Sequence, residues 1–156
     1  ADMTGHSPQA RLEAIINNWS EMAPRLVKAT QNVTGTPIKS FKFCPSIPRP
    51  GQLVCAAVNY IEPDRPEPAP FNAFLKATSS IVGHQDTVEL APAEATVFHF
   101  EPELAFVIGK RASRIAAAEA MDYIFGYTQF MDVSARGLGG FFLGKSWHTC
   151  GPLGPS

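Results

Sequence analysis

The chain has 156 residues, 13 Lys and Arg against 14 Asp and Glu, 45% hydrophobic residues and 17% charged ones, which suits one domain or part of a larger one at the usual ~100–150 residues per domain. A net charge of −1 leaves no basic surplus to neutralise phosphates, which excludes an electrostatically driven binder of nucleic acid or of an anionic membrane. With 14 Pro and 12 Gly the backbone turns often, which excludes a simple helical bundle.

Cys44, Cys55 and Cys150 are widely spaced and form no CxxC pair, so neither a disulfide framework nor a structural zinc is expected. No apolar run approaches the ~18–20 residues that span a bilayer, and ADMTGHSPQAR lacks a basic-then-apolar leader pattern. The expectation is a cytoplasmic protein.

Ser7 before Pro8 reads as an N-cap with proline at the first helical position, and Leu12, Ile15, Ile16 and Trp19 follow at helical spacing. Pro24 is predicted to end or kink this helix. Residues 34–51 carry four prolines and two glycines and read as a connector, with a boundary near Gly51 separating residues 1–50 from 51–156. QLVCAAVNY has the length and flanks of a buried strand, stopped by the turn-forming EPDRPEPAPF. Residues 72–80 lead into IVGHQDTVELAP, a strand and turn, and 98–110, FHFEPELAFVIGK, reads as a longer strand. SRIAAAEAMDYIFGYT predicts a helix capped by Ser113 and running to about Ile124, followed by an extended segment over 127–133. The remainder, SARGLGGFFLGKSWHTCGPLGPS, reads as glycine-rich loop without a closing element. Strand and helix signals in this mixture indicate an α+β fold.

The sharpest chemical feature is Glu101-Pro102-Glu103 inside an apolar segment. The strand period of two puts Glu101, Glu103 and the preceding His99 on one face. Two carboxylates that close repel each other, and burying them requires compensation, which a hard divalent cation such as Mg²⁺ supplies. The plainer alternative is a solvated edge strand, where Pro102 is also at home. Asp132 lies in a similarly apolar setting and completes a three-carboxylate set, with Arg136 placed to bind a substrate carboxylate; the alternative has Asp132 capping a turn and pairing with Arg136. Lys145 is either an oxyanion-stabilising cation or an ordinary surface lysine. No dinucleotide or P-loop glycine pattern, GxSxG elbow or HExxH occurs. Cys55 reads as an inert core thiol, and His84 and His148 have no partner at metal-ligand spacing.

In order along the chain, IPRPGQLVCAAVNY, FLKATSSIVG, FEPELAFVIGK, AMDYIFGYT, MDVSAR, FFLGKSW and GPLGP resemble the fumarylacetoacetate hydrolase superfamily from about Ile47 to Pro155. The resemblance implies a mixed β-roll or barrel-like catalytic core, of which 51–156 is the first part, behind a small N-terminal helical segment. It implies Glu101, Glu103 and Asp132 as ligands of Mg²⁺ or Mn²⁺, or of Ca²⁺. It places Lys145 and Arg136 as catalytic and substrate-facing residues, with Lys76 a further substrate contact. The implied activity is metal-dependent hydrolysis or decarboxylation of a 2-oxo acid or acylpyruvate-type β-dicarbonyl through a metal-stabilised enolate. A non-catalytic subunit or binding protein is the alternative.

The chain departs from the family pattern at the lid. Hydrolase members carry N-Y-x-x-H-x-x-E with a water-activating His and Glu, whereas here Pro63 and Pro66 follow Asn59-Tyr60 at those positions. Gly137 and Gly139 stand where an acidic residue and a glutamine are common, and His148 where an aspartate is. Family members continue beyond GPLGP, so the expected assembly is a homodimer or a hetero-oligomer with a chain supplying the remaining strands.

Overall fold

A computed structural model describes residues 6–67 and 69–155. Residues 1–5, Pro68 and Ser156, included above in the N-terminal segment, the proline-rich turn and the final stretch, lie outside the described residues.

The Ser7 hydroxyl accepts the Ala10 N–H at 3.2 Å and caps α1 (Pro8–Asn17). The helical run breaks at Asn18, not at Pro24 as its proline suggested. Asn18 donates its backbone N–H and its side-chain Nδ2 to the Ala14 carbonyl, at 3.2 and 2.8 Å, and the chain restarts as α2 (Trp19–Thr30). Pro24 sits inside α2. Both it and Ser20 are exposed, so water satisfies the carbonyl that loses its partner there.

Six strands follow: β1 (Leu53–Ala57), β2 (Asn72–Lys76), β3 (Ile81–Val82), β4 (Val97–Ile108), β5 (Ile124–Arg136) and β6 (Gly151–Pro152). Among the described residues they pair as antiparallel β1–β2 and β4–β5 and parallel β3–β6, giving an α+β architecture. β5 is the hub. Along one edge it holds β4, and beyond the other Val133 N–H donates to Cys150 at 3.2 Å and Gly154 N–H to Gln129 at 2.8 Å. The buried apolar residues Phe130, Val133, Ala135, Cys150 and Leu153 therefore gather around β5.

Three expectations are corrected. β1 is not a buried strand: Val54 and its cross-strand partner Leu75 are each 59% exposed, because the β1–β2 ribbon has no second layer on that face among the described residues. Residues 113–124 do not form an α-helix capped at Ser113; only a 3₁₀ turn, Ala117–Tyr123, forms. Arg114 adopts φ 56°, which breaks the run, and Glu119 takes over by accepting the Ala116 N–H at 3.4 Å. The glycine-rich end is not all loop, since α3 (Gly140–Lys145) and β6 form within it. Gly137 and Gly140, at φ 87° and 76°, make the turn from β5 into α3 possible.

β6 packs tightly. A Cβ at Gly151 would lie 2.7 Å from Ser80 Oγ and 3.2 Å from Phe130 Cε2, and Ser80 is fully buried. Gly151→Ala is expected to cost about 1–3 kcal/mol. An unchanged urea midpoint for this variant would show that the β3–β6 contact is looser than described.

Candidate active site

The β4–β5 register sets Glu101 directly opposite Asp132 and His99 opposite Ser134. Cross-strand partners project from the same face, and so does the residue two positions along, which adds Glu103. All three carboxylates named from the sequence thus share one face of a single antiparallel ribbon. Asp132 is 3% exposed, while Glu101 and Glu103 are partly buried.

Two buried lysines reach Asp132 from other elements. Lys76, at the end of β2 and 2% exposed, places Nζ 2.8 Å from Asp132 Oδ1 and 3.2 Å from the Val133 carbonyl, and also donates to the Lys145 carbonyl. Lys145, at the end of α3 and 6% exposed, places Nζ 2.5 Å from Asp132 Oδ2 and 2.6 Å from Glu101 Oε2. It is not a surface lysine. Arg136 does not pair with Asp132, the simpler of the two sequence readings. Its Nη2 donates to Glu101 Oε1 and its Nε to His99 Nδ1 at 3.1 Å, while both oxygens of Asp132 are taken by Lys76 and Lys145.

Burial opposes ionisation of Glu101, yet hydrogen bonding and charge from Lys145 and the charge of Arg136 hold it below the usual carboxylate range. Glu103 goes the other way. Burial raises it, the charges of Asp132 and Glu101 add to this, and the hydrogen bond from Tyr60 Oη, at 3.2 Å, opposes it. The Tyr60 phenol is raised in turn, chiefly by the Glu103 charge. The face therefore carries two carboxylates paired with cations, Glu101 and Asp132, and a third, Glu103, that has no ion pair among the described residues.

Among the described residues no three carboxylate, imidazole or thiolate side chains converge as a metal cage. Instead, the Lys145 ammonium occupies the point between Glu101 Oε2 and Asp132 Oδ2. A cation is what this point takes, and the donors around it are hard oxygens of the kind that suit Mg²⁺, Mn²⁺ or Ca²⁺. Beside it opens a cleft of about 320 Å³ lined by Ser134, Arg136, Gly140, Phe141 and Lys145. A Cβ at Gly140 would meet nothing within 4 Å, so this part of the wall is open, whereas one at Gly137 would meet Thr96 Cγ2 at 2.8 Å.

Residue-by-residue reading of the sequence passed over two contributors. Tyr60 meets Glu103, and Phe74 stacks on Phe141 at 4.7 Å while the Lys145 ammonium lies 5.3 Å from its ring centre. The signal for Phe74 was its place two residues before Lys76, on the same strand face. Nothing in the sequence near Tyr60 marked its partner.

Cys55 of β1 faces this cluster. Burial, helped by the Asp132 charge, pushes its thiol up to about 11, so at pH 8 it stays protonated. Alkylation of Cys55 by iodoacetamide at that pH is expected to run about 100-fold slower than for a free thiol near pKa ~8.5. Peptide mapping by mass spectrometry checks this, and labelling at the free-thiol rate would refute it.

Residues 52–156 match the family described as fumarylacetoacetate (FAA) hydrolase, C-terminal. The chain belongs to the fumarylacetoacetate hydrolase family. The human mitochondrial oxaloacetate tautomerase FAHD2A is 38% identical over 130 residues, covering 77% of this chain and 41% of that protein. The oxaloacetate tautomerase YisK of Bacillus subtilis is 35% identical over 131 residues, 76% of this chain and 43% of that protein. Among solved family structures, maleylpyruvate hydrolase from Sphingobium sp. SYK-6 in complex with manganese(II) and pyruvate superposes with a TM-score of 0.82 at 25% identity, over 97% of this chain and 54% of that one. The chain thus spans about two-fifths of the length of these sequence relatives and about half of that structure. Members of the fumarylacetoacetate hydrolase family matched here are tautomerases, hydrolases and isomerases. No helix among the described residues is long and apolar enough to cross a membrane.

Proposed function

We propose that this chain carries the site of a divalent-cation-dependent enzyme that enolises a short 2-oxo acid, with oxaloacetate-type substrates first and acylpyruvates second. The observation that carries the reading is the shared face of Glu101, Glu103 and Asp132, with two buried ammonium groups bracketing Asp132. Those three carboxylates would hold the metal, which when bound supplies Lewis acidity at the 2-oxo group and stabilises the enolate. The relatives named for tautomerising oxaloacetate and the manganese and pyruvate in the maleylpyruvate hydrolase support this choice of chemistry.

The chain's own residues have separate tasks. Arg136 presents a planar two-donor fork that suits the substrate carboxylate. Lys145 Nζ donates a hydrogen bond to the oxygen on which negative charge develops, from a residue only 6% exposed. Lys76, with no open side to a ligand, holds Asp132 in place and balances its charge. Water activation has no imidazole at the lid, where Pro63 and Pro66 stand and the one described ion pair, Glu62 with Arg65 at 3.9 Å, is exposed. Tautomerisation and decarboxylation need no attacking water, so both rank above hydrolytic carbon–carbon cleavage.

The test is enol–keto conversion and decarboxylation of oxaloacetate, alongside acylpyruvate cleavage, with Mg²⁺ or Mn²⁺ and after EDTA. Metal-dependent conversion that Glu103→Ala abolishes is the expected result. Metal retention without turnover of any of these acids would replace the enzyme reading with that of a binding protein, and metal-independent turnover would remove the carboxylate site from the reaction.

A further inference from the structure

Two of the elements that build the cluster repeat one design. On β2, Phe74 and Lys76 are two residues apart and share a strand face; on α3, Phe141 and Lys145 are four apart and share a helix face. The two pairs interlock. Phe74 and Phe141 stack at 4.7 Å with their planes 9° apart, and Lys76 and Lys145 meet on the two oxygens of Asp132. β2 is not hydrogen-bonded into the β4–β5 ribbon, so its placement relative to Asp132 depends on side chains. The Lys145 ammonium lies 5.3 Å from the centre of the Phe74 ring, inside the ~6 Å within which the negative face of an aromatic attracts a cation, and the attraction is strongest where water is excluded.

We infer that Phe74 is the positioning residue for Lys145: its ring face, on a ring that also stacks with Phe141, helps hold the ammonium at the point between Glu101 and Asp132. An aliphatic side chain of similar size fills the same space but offers no electron-rich face. Lys145 also lines the cleft beside Gly140 and Phe141, so without that face its flexible four-carbon stem is expected to sample positions open to solvent. The catalytic consequence rests on the function proposed above; the positioning itself does not.

The test replaces Phe74 site-specifically with mono-, di- and trifluorophenylalanine, which keep the ring's shape and withdraw electrons from its face stepwise. Acetylation of Lys145 by a water-soluble acetylating reagent, followed by mass spectrometry with exposed Lys39 as internal standard, reads the position of the ammonium without any assay of activity. Labelling of Lys145 relative to Lys39 is expected to rise with each fluorine, about 5–30-fold over the series, and Phe74→Leu is expected to fall at or beyond its upper end. A flat series overturns the inference, whatever Phe74→Leu does. Oxaloacetate conversion by the metal-loaded protein is measured on the same samples. A graded rise in labelling with no turnover in any sample leaves the positioning intact and removes the proposed function, whereas normal turnover with flat labelling removes the positioning alone.

Discussion

Asp132→Ala is expected to destabilise the protein by about 3–5 kcal/mol, the cost of leaving buried charge without its partner. The wild-type carboxylate is all but inaccessible and binds one ammonium on each oxygen, Lys76 at 2.8 Å and Lys145 at 2.5 Å. Removing it leaves two cations facing each other. Lys145 retains Glu101, but Lys76 is left with only carbonyl acceptors from Val133 and Lys145, which do not balance a full charge. Asp132→Asn keeps the shape and one acceptor and is expected to lose less, though it still strands positive charge. Urea denaturation of the metal-free proteins gives the comparison. A loss below about 1 kcal/mol for Asp132→Ala would mean that the lysines escape to water, placing the pair in the class of surface ion pairs.

Lys145→Met is expected to lower kcat/KM for oxaloacetate conversion about 10²–10³-fold, the usual effect of removing one donor aimed at a developing oxyanion. Methionine keeps the stem's length but has neither the charge nor a hydrogen to donate. Metal binding is expected to survive, since Glu101, Glu103 and Asp132 are untouched, and removal of the ammonium that shares their oxygens frees donors for the ion. Steady-state kinetics and metal titration by calorimetry are read together. If kcat/KM is unchanged, Lys145 is structural ballast for the carboxylates; if metal binding is lost with it, the lysine orders the ligands and the kinetic loss says nothing about the oxyanion.

Much of the site was legible because its residues sit at short, regular spacings. Glu101 and Glu103 share a face through the strand period alone, and any antiparallel partner of β4 presents its own alternate residues there. Which residue stands opposite Glu101 was a different matter. That depends on the β4–β5 register over a long connection, and a one-residue slip would have sent Asp132 to the outer face. The two readings of Asp132 and Arg136 were likewise equal in sequence, and the structure separates them by giving Arg136 to Glu101 and Asp132 to two lysines.

The secondary structure divides the same way. The Ser7 cap of α1 and the long strand of β4 are local facts, carried by a hydroxyl, a proline and an alternation that need no distant partner. The missed break at Asn18 and the missing α-helix before Ile124 turn on single residues, Asn18 folding onto Ala14 and Arg114 at positive φ, for which composition gives no warning. The exposed side of β4 is the sharper case. Phe100, Leu104, Phe106 and Ile108 are all more than half exposed, while the glutamates between them turn inward. Hydrophobicity alone would have oriented the strand the other way; the inward face is held by Lys145 and Arg136 on Glu101 and by the Tyr60 hydroxyl on Glu103.

By itself, the sequence determined the class of the protein and the identity of its charged residues: a nearly neutral, turn-rich α+β chain with three carboxylates and three cations in family order. Only the tertiary structure decided their pairing. Lys76, Asp132 and Lys145 come from β2, β5 and α3, and their charges sum across space, so the balance that lets them be buried exists only once those elements have packed.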